Sequence, residues 1–333
     1  MNFRTSYLAL SMAMAHTAAA ADDGLTAVTF GTNWLAQAEH GGFYQSVADG
    51  TYAECGLDVT IITGGPQVNN RALLLANRIQ FHMGGDLLQA FNAVAEEIPV
   101  VNVAAIFQKH PQVILAHPGV AESWEELRDL TLLIGDNGFT SYYQWMIAEH
   151  GFTVEQRLPY TFNPAPFLAD DQLGMQGFLS SEPYLVETTG GFVPNVFLIA
   201  DAGFSSYATT IETMQATIDE SPEVVQCFVE GSILGWYAYL YGDNAAANRM
   251  ILADNPDMTQ DKIDYAIGKM IEWGIVDSGD ALELGIGALT EEVVASFYAD
   301  MVAAGVVEAG INWPLTINTS FVNQGLGVEL RPE

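Results

Sequence analysis

Short apolar runs alternate with amphipathic stretches through the first two-thirds of this chain. No other feature narrows the fold as far. Residues 27–30, 57–62, 81–83 and 99–107 are rich in aliphatic, β-branched and aromatic side chains and read as strands. Between them, residues 42–55, 67–77 and 85–95 carry helical spacing. The run PVVNVAAIF at 99–107 is apolar nearly throughout, as a strand buried on both faces should be. Strands alternating with helices of about ten residues imply βαβ units around a mostly parallel sheet.

The theme returns further on. Residues 113–117, 131–134, 157–162 and 195–200 read as strands, and residues 141–150 as a helix stopped by Gly151. Ser123 with Glu126 three residues on marks a short capped helix. The last third is helical: Ser221-Pro222-Glu223 is a helix start, and Thr259 and Thr290 open two more. The fold class expected is α/β, with two lobes and a cleft between them. Residues 21–107 and 208–333 form the first lobe and residues 108–207 the second.

The N-terminus reads as a cleavable export signal over residues 1–20. Arg4 precedes an apolar run at 7–15 and a cluster of small residues at 18–21. The run is shorter than the roughly 20 residues that span a bilayer. No cysteine lies beside the cleavage site, so the mature chain of about 310 residues is expected free in a periplasm. It is long enough for two cores. Cys55 and Cys227 are expected as two separately buried thiols, although an oxidising compartment permits a bond.

Ten Lys and Arg face 41 Asp and Glu, a net charge of −31. The acid is dispersed rather than gathered in a tail. Such a surface repels nucleic acid and anionic lipid, excludes both as partners, and suits a saline habitat. Enzymatic signals are missing. There is no GxSxG and no GxxxxGK[ST], and none of the six histidines stands at a ligand spacing that marks a metal site. His82, between Phe81 and Met83, reads as a satisfied strand residue. The expectation is therefore no catalytic residue, no metal and no cofactor.

In open parallel sheets, ligands sit beyond the carboxyl ends of strands. Asn33-Trp34 follows the first strand here, and Gly64-Gly65-Pro66-Gln67-Val68-Asn69 the second. Gly84-Gly85-Asp86 follows the third, Gln108 the fourth, and Gly138-Phe139-Thr140-Ser141-Tyr142 a strand of the second lobe. Glycines let backbone approach a ligand, and helix starts offer free N–H groups.

Asn33-Trp34, His40-Gly41-Gly42-Phe43-Tyr44, Gly50-x-Tyr52 and Gly56-Leu57-Asp58-Val59 together resemble the start of the thiamine-pyrimidine family. Gly64 to Asn69 and Ser181-Glu182-Pro183-Tyr184 fit the same pattern. That family joins yeast-type pyrimidine precursor synthases to periplasmic binding proteins for formylaminopyrimidine, with relatives for riboflavin, sulfonates, nitrate and taurine. The resemblance covers residues 25–325. It implies a type II periplasmic binding protein that delivers a small molecule to an ABC permease, working as a monomer and tied to thiamine biosynthesis. The synthase alternative needs a lysine for pyridoxal phosphate and a cysteine-rich iron motif. Residues 33–39 hold no lysine, and the cysteines are isolated.

A pyrimidine wants aromatic faces and a few polar edges. Trp34, Tyr44, Phe107, Tyr142 and Tyr184 are the candidate faces. Asn33, His40, Gln67, Asn69, Gly84, Gln108, Ser141 and Glu182 are the candidate edges. Glu182 is expected to accept from a ligand amine. An oxyanion or riboflavin is the alternative ligand. An oxyanion would have to use helix N-termini, because the second lobe holds only Arg128 and Arg157 beyond Lys109.

Overall fold

The computed structural model describes residues 24–332; the export signal read at residues 1–20 lies outside them. Ten strands form two sheets. They are β1 (Thr26–Gly31), β2 (Leu57–Ile62), β3 (Phe81–Asp86), β4 (Val100–Phe107) and β5 (Gln112–Ala116), then β6 (Thr131–Ile134), β7 (Arg157–Pro159), β8 (Leu173–Phe178), β9 (Asn195–Leu198) and β10 (Ala208–Met214). The first sheet has the order β2-β1-β3-β10-β4 and the second β7-β6-β8-β5-β9. The chain crosses between them twice, from β4 to β5 and from β9 to β10.

Those crossings explain why neither sheet is parallel throughout. In the first, β1 pairs in parallel with β2 and β3, but β10 runs antiparallel to β3 and β4. A strand that enters from the other lobe starts at the edge where its neighbours end, so it must run against them. The same holds for β5, antiparallel to β8 and β9, whereas β6 is parallel to β7 and β8. The carboxyl ends of β1–β4 and of β6–β9 therefore converge on one seam between the lobes.

Two strands escape the sequence pattern. β10, ATTIETM, is buried at every position despite its threonines and Glu212. Glu212 is tolerated because Arg71 donates to it twice, both bonds 3.1 Å, and His82 Nδ1 lies 3.0 Å away. β8, LGMQGF, hides behind its glycines. A Cβ on Gly174 would come within 2.5 Å of Leu132.

The segment read as one helix over 42–55 is two, Gly41–Ala48 and Thr51–Glu54, broken at Gly50 with φ +85°. The first packs hard against the long helix Pro222–Tyr241. A Cβ on Gly42 would come within 2.2 Å of the Trp236 ring, and one on Gly235 within 1.9 Å of Ser46. Only glycine permits so close an approach. The second short helix brings Cys55 to the same long helix, where it forms a disulfide with Cys227, 172 residues away. This corrects the expectation of separate thiols, which rested on sequence distance alone. A stacked aromatic column stands beside it, with Phe228 against Tyr52 at 5.2 Å and against Phe81 at 4.1 Å.

Candidate functional site

The seam is built from loops that leave the carboxyl ends of strands. After β1, Thr32 Oγ1 donates to the Trp34 carbonyl at 2.7 Å and accepts from Gly64 N–H at 3.0 Å. The Asn70 amide ties the same loop down by donating to the Thr32 carbonyl at 2.9 Å. This fixes Trp34 at the lip and carries Glu39 and His40 into a buried turn ahead of the helix Gly41–Ala48. After β3, Asp86 caps the helix Leu87–Ala95, with one oxygen on Gln89 N–H at 3.2 Å. Its other oxygen faces the second lobe.

On the second lobe, Ser141 and Tyr142 follow β6. The Tyr142 hydroxyl donates to Gln176 Oε1 at 3.0 Å, and Gly135 N–H donates to the same oxygen at 2.7 Å. Tyr160 and Phe162 follow β7, with Phe162 held at φ +61°, a conformation uncommon for a bulky side chain. Ser180, Glu182 and Tyr184 follow β8. Glu182 heads the short helix Glu182–Leu185, and its Oε2 accepts from Phe178 N–H at 2.6 Å. The N-cap position of that helix is Ser181.

The lobes touch through these groups. Ser141 Oγ donates to Asp86 Oδ2 at 2.6 Å. Ser180 Oγ donates to Glu39 Oε1. The Trp34 and Phe162 rings lie 5.0 Å apart, and Phe162 continues to Tyr160 at 5.3 Å, an aromatic row across the seam. Tyr184 meets Tyr265 at 5.1 Å. His110, on the first crossing, places Nε2 3.8 Å from Asp86 Oδ2 and accepts Gln112 N–H on Nδ1. The seam is closed in this structure.

Its electrostatics are acidic, and among the described residues no Lys or Arg acts on Glu39 or Glu182. Glu39 is buried, and that burial pushes its carboxyl above the usual range; the Ser180 hydroxyl offsets part of this. Burial also pushes Glu182 up, to about 7. The Phe178 N–H opposes the shift, and the nearby charge of Glu39 adds to it. His40 is driven down to about 3 by burial, so it is neutral at neutral pH, and its Nδ1 has no partner. Burial lowers His110 to about 4 against the pull of Asp86. Among the described residues, no three His, Cys, Asp or Glu side chains gather as a metal set.

Of the residues singled out by sequence, Trp34, His40, Ser141, Tyr142, Glu182 and Tyr184 stand at the seam. Asn33 is exposed on the loop after β1. Gln67 is exposed in a turn at φ +70°, and Asn69 caps the helix Asn70–Leu75 through Ala72 N–H at 3.0 Å. Four others are engaged inside the first lobe. Tyr44 is fully buried with its hydroxyl on Asp254 at 2.8 Å, and Phe107 is fully buried against Trp236 at 5.8 Å. The Gln108 amide donates to the Ala105 and Ala288 carbonyls at 2.8 and 2.9 Å. Gly84 is needed for packing, since a Cβ there would fall 2.3 Å from Thr210 Oγ1. Glu39, His110, Tyr160, Phe162 and Ser180 were missed, and Asp86 was noted only within the strand-end run Gly84-Gly85-Asp86. Glu39 could have been found, because it precedes His40 directly in the loop that leaves a strand end.

Two mixed sheets, two crossings and a seam at the strands' carboxyl ends define the periplasmic-binding-protein fold. The family model described as "NMT1/THI5 like" matches residues 37–247, well over half of the 333. The chain belongs to the NMT1/THI5-like family. Solved structures agree on the fold. A putative periplasmic sulfonate-binding protein of an ABC transporter from Methylobacillus flagellatus KT is 13% identical. It has a TM-score of 0.61, with 90% of this chain and 93% of that one covered. The alkanesulfonate-binding protein of Xanthomonas axonopodis pv. citri, solved with MOPS, is 10% identical with a TM-score of 0.62, covering 88% and 98%. The desulfurization enzyme DSZB is 12% identical with a TM-score of 0.57, covering 91% and 99%. The same fold therefore serves an enzyme as well as binding proteins. No curated protein sequence matches the chain.

Proposed function

We propose that this protein is the periplasmic substrate-binding component of an ABC importer and that it captures a small amine-bearing heteroaromatic, such as a pyrimidine precursor of thiamine. The observation that carries the ligand class is the pairing at the seam of Glu39 and Glu182 with the aromatic row Tyr160, Phe162 and Trp34. Carboxylates accept from an exocyclic amine or a protonated ring nitrogen, and the rings offer apolar faces. The first lobe comprises residues 21–107 and 208–333, the second residues 108–207. The two crossings act as hinges, and the exported monomer hands its ligand to the permease.

The sulfonate-binding proteins that share the fold favour a second reading, an oxyanion ligand. The charge at the seam argues against it. Among the described residues Arg71 is paired with Glu212 and Arg157 with Asp136, and Lys109 on the first crossing lies 4.0 Å from Asp201. An anion would meet two carboxyls and a neutral histidine.

Calorimetric titration of the mature protein with 4-amino-5-hydroxymethyl-2-methylpyrimidine, taurine, MOPS and nitrate separates the readings. The pyrimidine is expected to bind in the micromolar range or tighter and to compact the protein in small-angle scattering. Binding of an oxyanion with no response to the pyrimidine would overturn the proposal.

A further inference from the structure

Resting on that reading of the ligand, we propose that the protein selects a cation, through one subsite made by Glu39 of the first lobe, Glu182 of the second and the hydroxyl of Tyr239. Each lobe supplies one carboxyl, and they meet because Ser180, two residues before Glu182, bonds Glu39 across the seam; the charge of Glu39 adds to the upward shift of Glu182. Neither carboxyl has a Lys or Arg among the groups that act on it. Glu39 has the Ser180 hydroxyl as its side-chain donor and Glu182 the Phe178 N–H, and each is otherwise helped by its own backbone N–H. Two carboxyls confined together without a cation cannot both ionise at low cost.

Tyr239 supplies an independent sign that something else belongs there. It is fully buried in the helix Pro222–Tyr241, and its hydroxyl has no hydrogen-bond partner. A buried hydroxyl in a native structure is almost always satisfied. The charge that acts on it most is that of Glu39, followed by Asp264. Its ring lies over Gly41, where a Cβ would come within 2.0 Å. Glycine two residues after Glu39 is therefore what lets the ring lie beneath the turn that carries the carboxyl. The unpartnered phenol oxygen is free to accept from a ligand N–H.

The chemistry that satisfies all three groups is a planar ring cation in which a protonated ring nitrogen and the exocyclic amine para to it share one charge. Such a ring donates to a carboxylate at each end and brings the missing charge. Glu182 alone would read only an amine. Glu39 makes the charge itself the recognised feature, and so acts as a specificity-determining residue.

Two probes of equal shape isolate charge. 4-Amino-2-methylpyridine is a cation at pH 7.5, whereas 4-amino-2-methylpyrimidine is mostly neutral there. Calorimetry on the intact mature protein should show the aminopyridine binding at least tenfold more tightly. Glu39→Gln should shrink that preference below threefold, because the aminopyridine loses more affinity than the pyrimidine does. Trp34→Ala, which removes an aromatic face and leaves both carboxyls and their donors in place, should weaken both probes by one common factor. Equal wild-type affinities would overturn the charge selection and leave the heteroaromatic reading standing; that result needs no variant to fold. A Glu39→Gln protein that loses both probes equally would overturn it too, by making Glu39 a closing contact only. Failure of both rings to bind, with an alkanesulfonate bound instead, would remove the parent reading.

Discussion

Glu212, in the first sheet, takes two bonds from Arg71 and lies against His82, while Glu39, at the seam, has the Ser180 hydroxyl as its side-chain donor. Both are buried to within a few per cent. Their titration runs in opposite directions. Burial raises both. At Glu212 the His82 contact and the Arg71 guanidinium together outweigh it and hold the carboxyl below its usual range; at Glu39 burial wins. A buried carboxylate with its cation in place is part of the fold. One without a cation marks a candidate binding position, which is the reading proposed for Glu39. The contrast teaches how to tell scaffold from site in a chain with so much acid.

The sharpest way to break that contrast is to take the cation from the scaffold. Arg71→Met leaves Glu212 buried and uncompensated in the middle of a sheet. Such a change costs about 3–5 kcal/mol, and urea denaturation should show a loss at the lower end because Arg71 keeps some contact with water. Ligand affinity should not move. A loss under about 1 kcal/mol would mean that His82 alone satisfies Glu212.

The next test also falls on the first lobe. The Cys55–Cys227 bond closes a loop of 172 residues. Disulfides typically contribute about 2–4 kcal/mol, mainly by restricting the unfolded chain. Cys55→Ser with Cys227→Ser should lower the unfolding midpoint accordingly, with binding unchanged at temperatures where the protein stays folded. A change in affinity would tie the bond to the seam and blur the division between scaffold and site.

Trp34→Ala tests the seam itself. An aromatic face at such a contact is worth ~0.5–1.5 kcal/mol beyond area burial. Binding should weaken about tenfold, while stability in urea stays within about 0.5 kcal/mol of wild type. Unchanged affinity would reduce Trp34 to a packing partner of Phe162.

What the sequence shows of this molecule depends on whether a signal is local. β4 is legible because eight successive buried positions read VVNVAAIF. The strand ends are legible because Trp34, Ser141 and Glu182 interrupt apolar patterns at places where helices begin. β10 is not legible, because ATTIETM looks half-polar until Arg71 and His82 are brought to Glu212 across 141 and 130 residues. β8 fails for a related reason. Gly177 looks like a turn, but a Cβ there would sit 2.6 Å from Glu182, so the glycine serves close packing. Glu39 looks like one acid among 41 until Ser180 arrives from the other lobe. Tyr44 and Phe107 mislead in the opposite sense. Their neighbours in sequence fit a binding motif, and only the packed first lobe shows their rings to be interior.

The smallest expected effect is the most direct reading of the seam, and its sign is opposite to that of most carboxylates in proteins. The folded protein holds the Glu182 proton up to about pH 7, against 4.5 for an ordinary side chain. Between those values the folded form retains a proton that the unfolded chain has lost. Stability must therefore fall as pH rises through that window and level off above it. A tenfold difference in proton affinity between the folded and unfolded forms corresponds to about 1.4 kcal/mol. Glu182 is half-buried, however, and water reaching its carboxyl limits the effect to about 1 kcal/mol. Glu182→Gln removes the titration. The variant should match wild type near pH 5 and exceed it by about 1 kcal/mol at pH 8, read from thermal melts of ligand-free protein in steps of one pH unit. Some slope should survive in the variant, because Glu39 is shifted in the same direction. A cationic ligand should erase the difference by supplying the charge that the seam's own residues lack. A variant less stable than wild type at pH 8 would mean that the bond from Phe178 N–H outweighs the burial, which would return Glu182 to the scaffold beside Glu212.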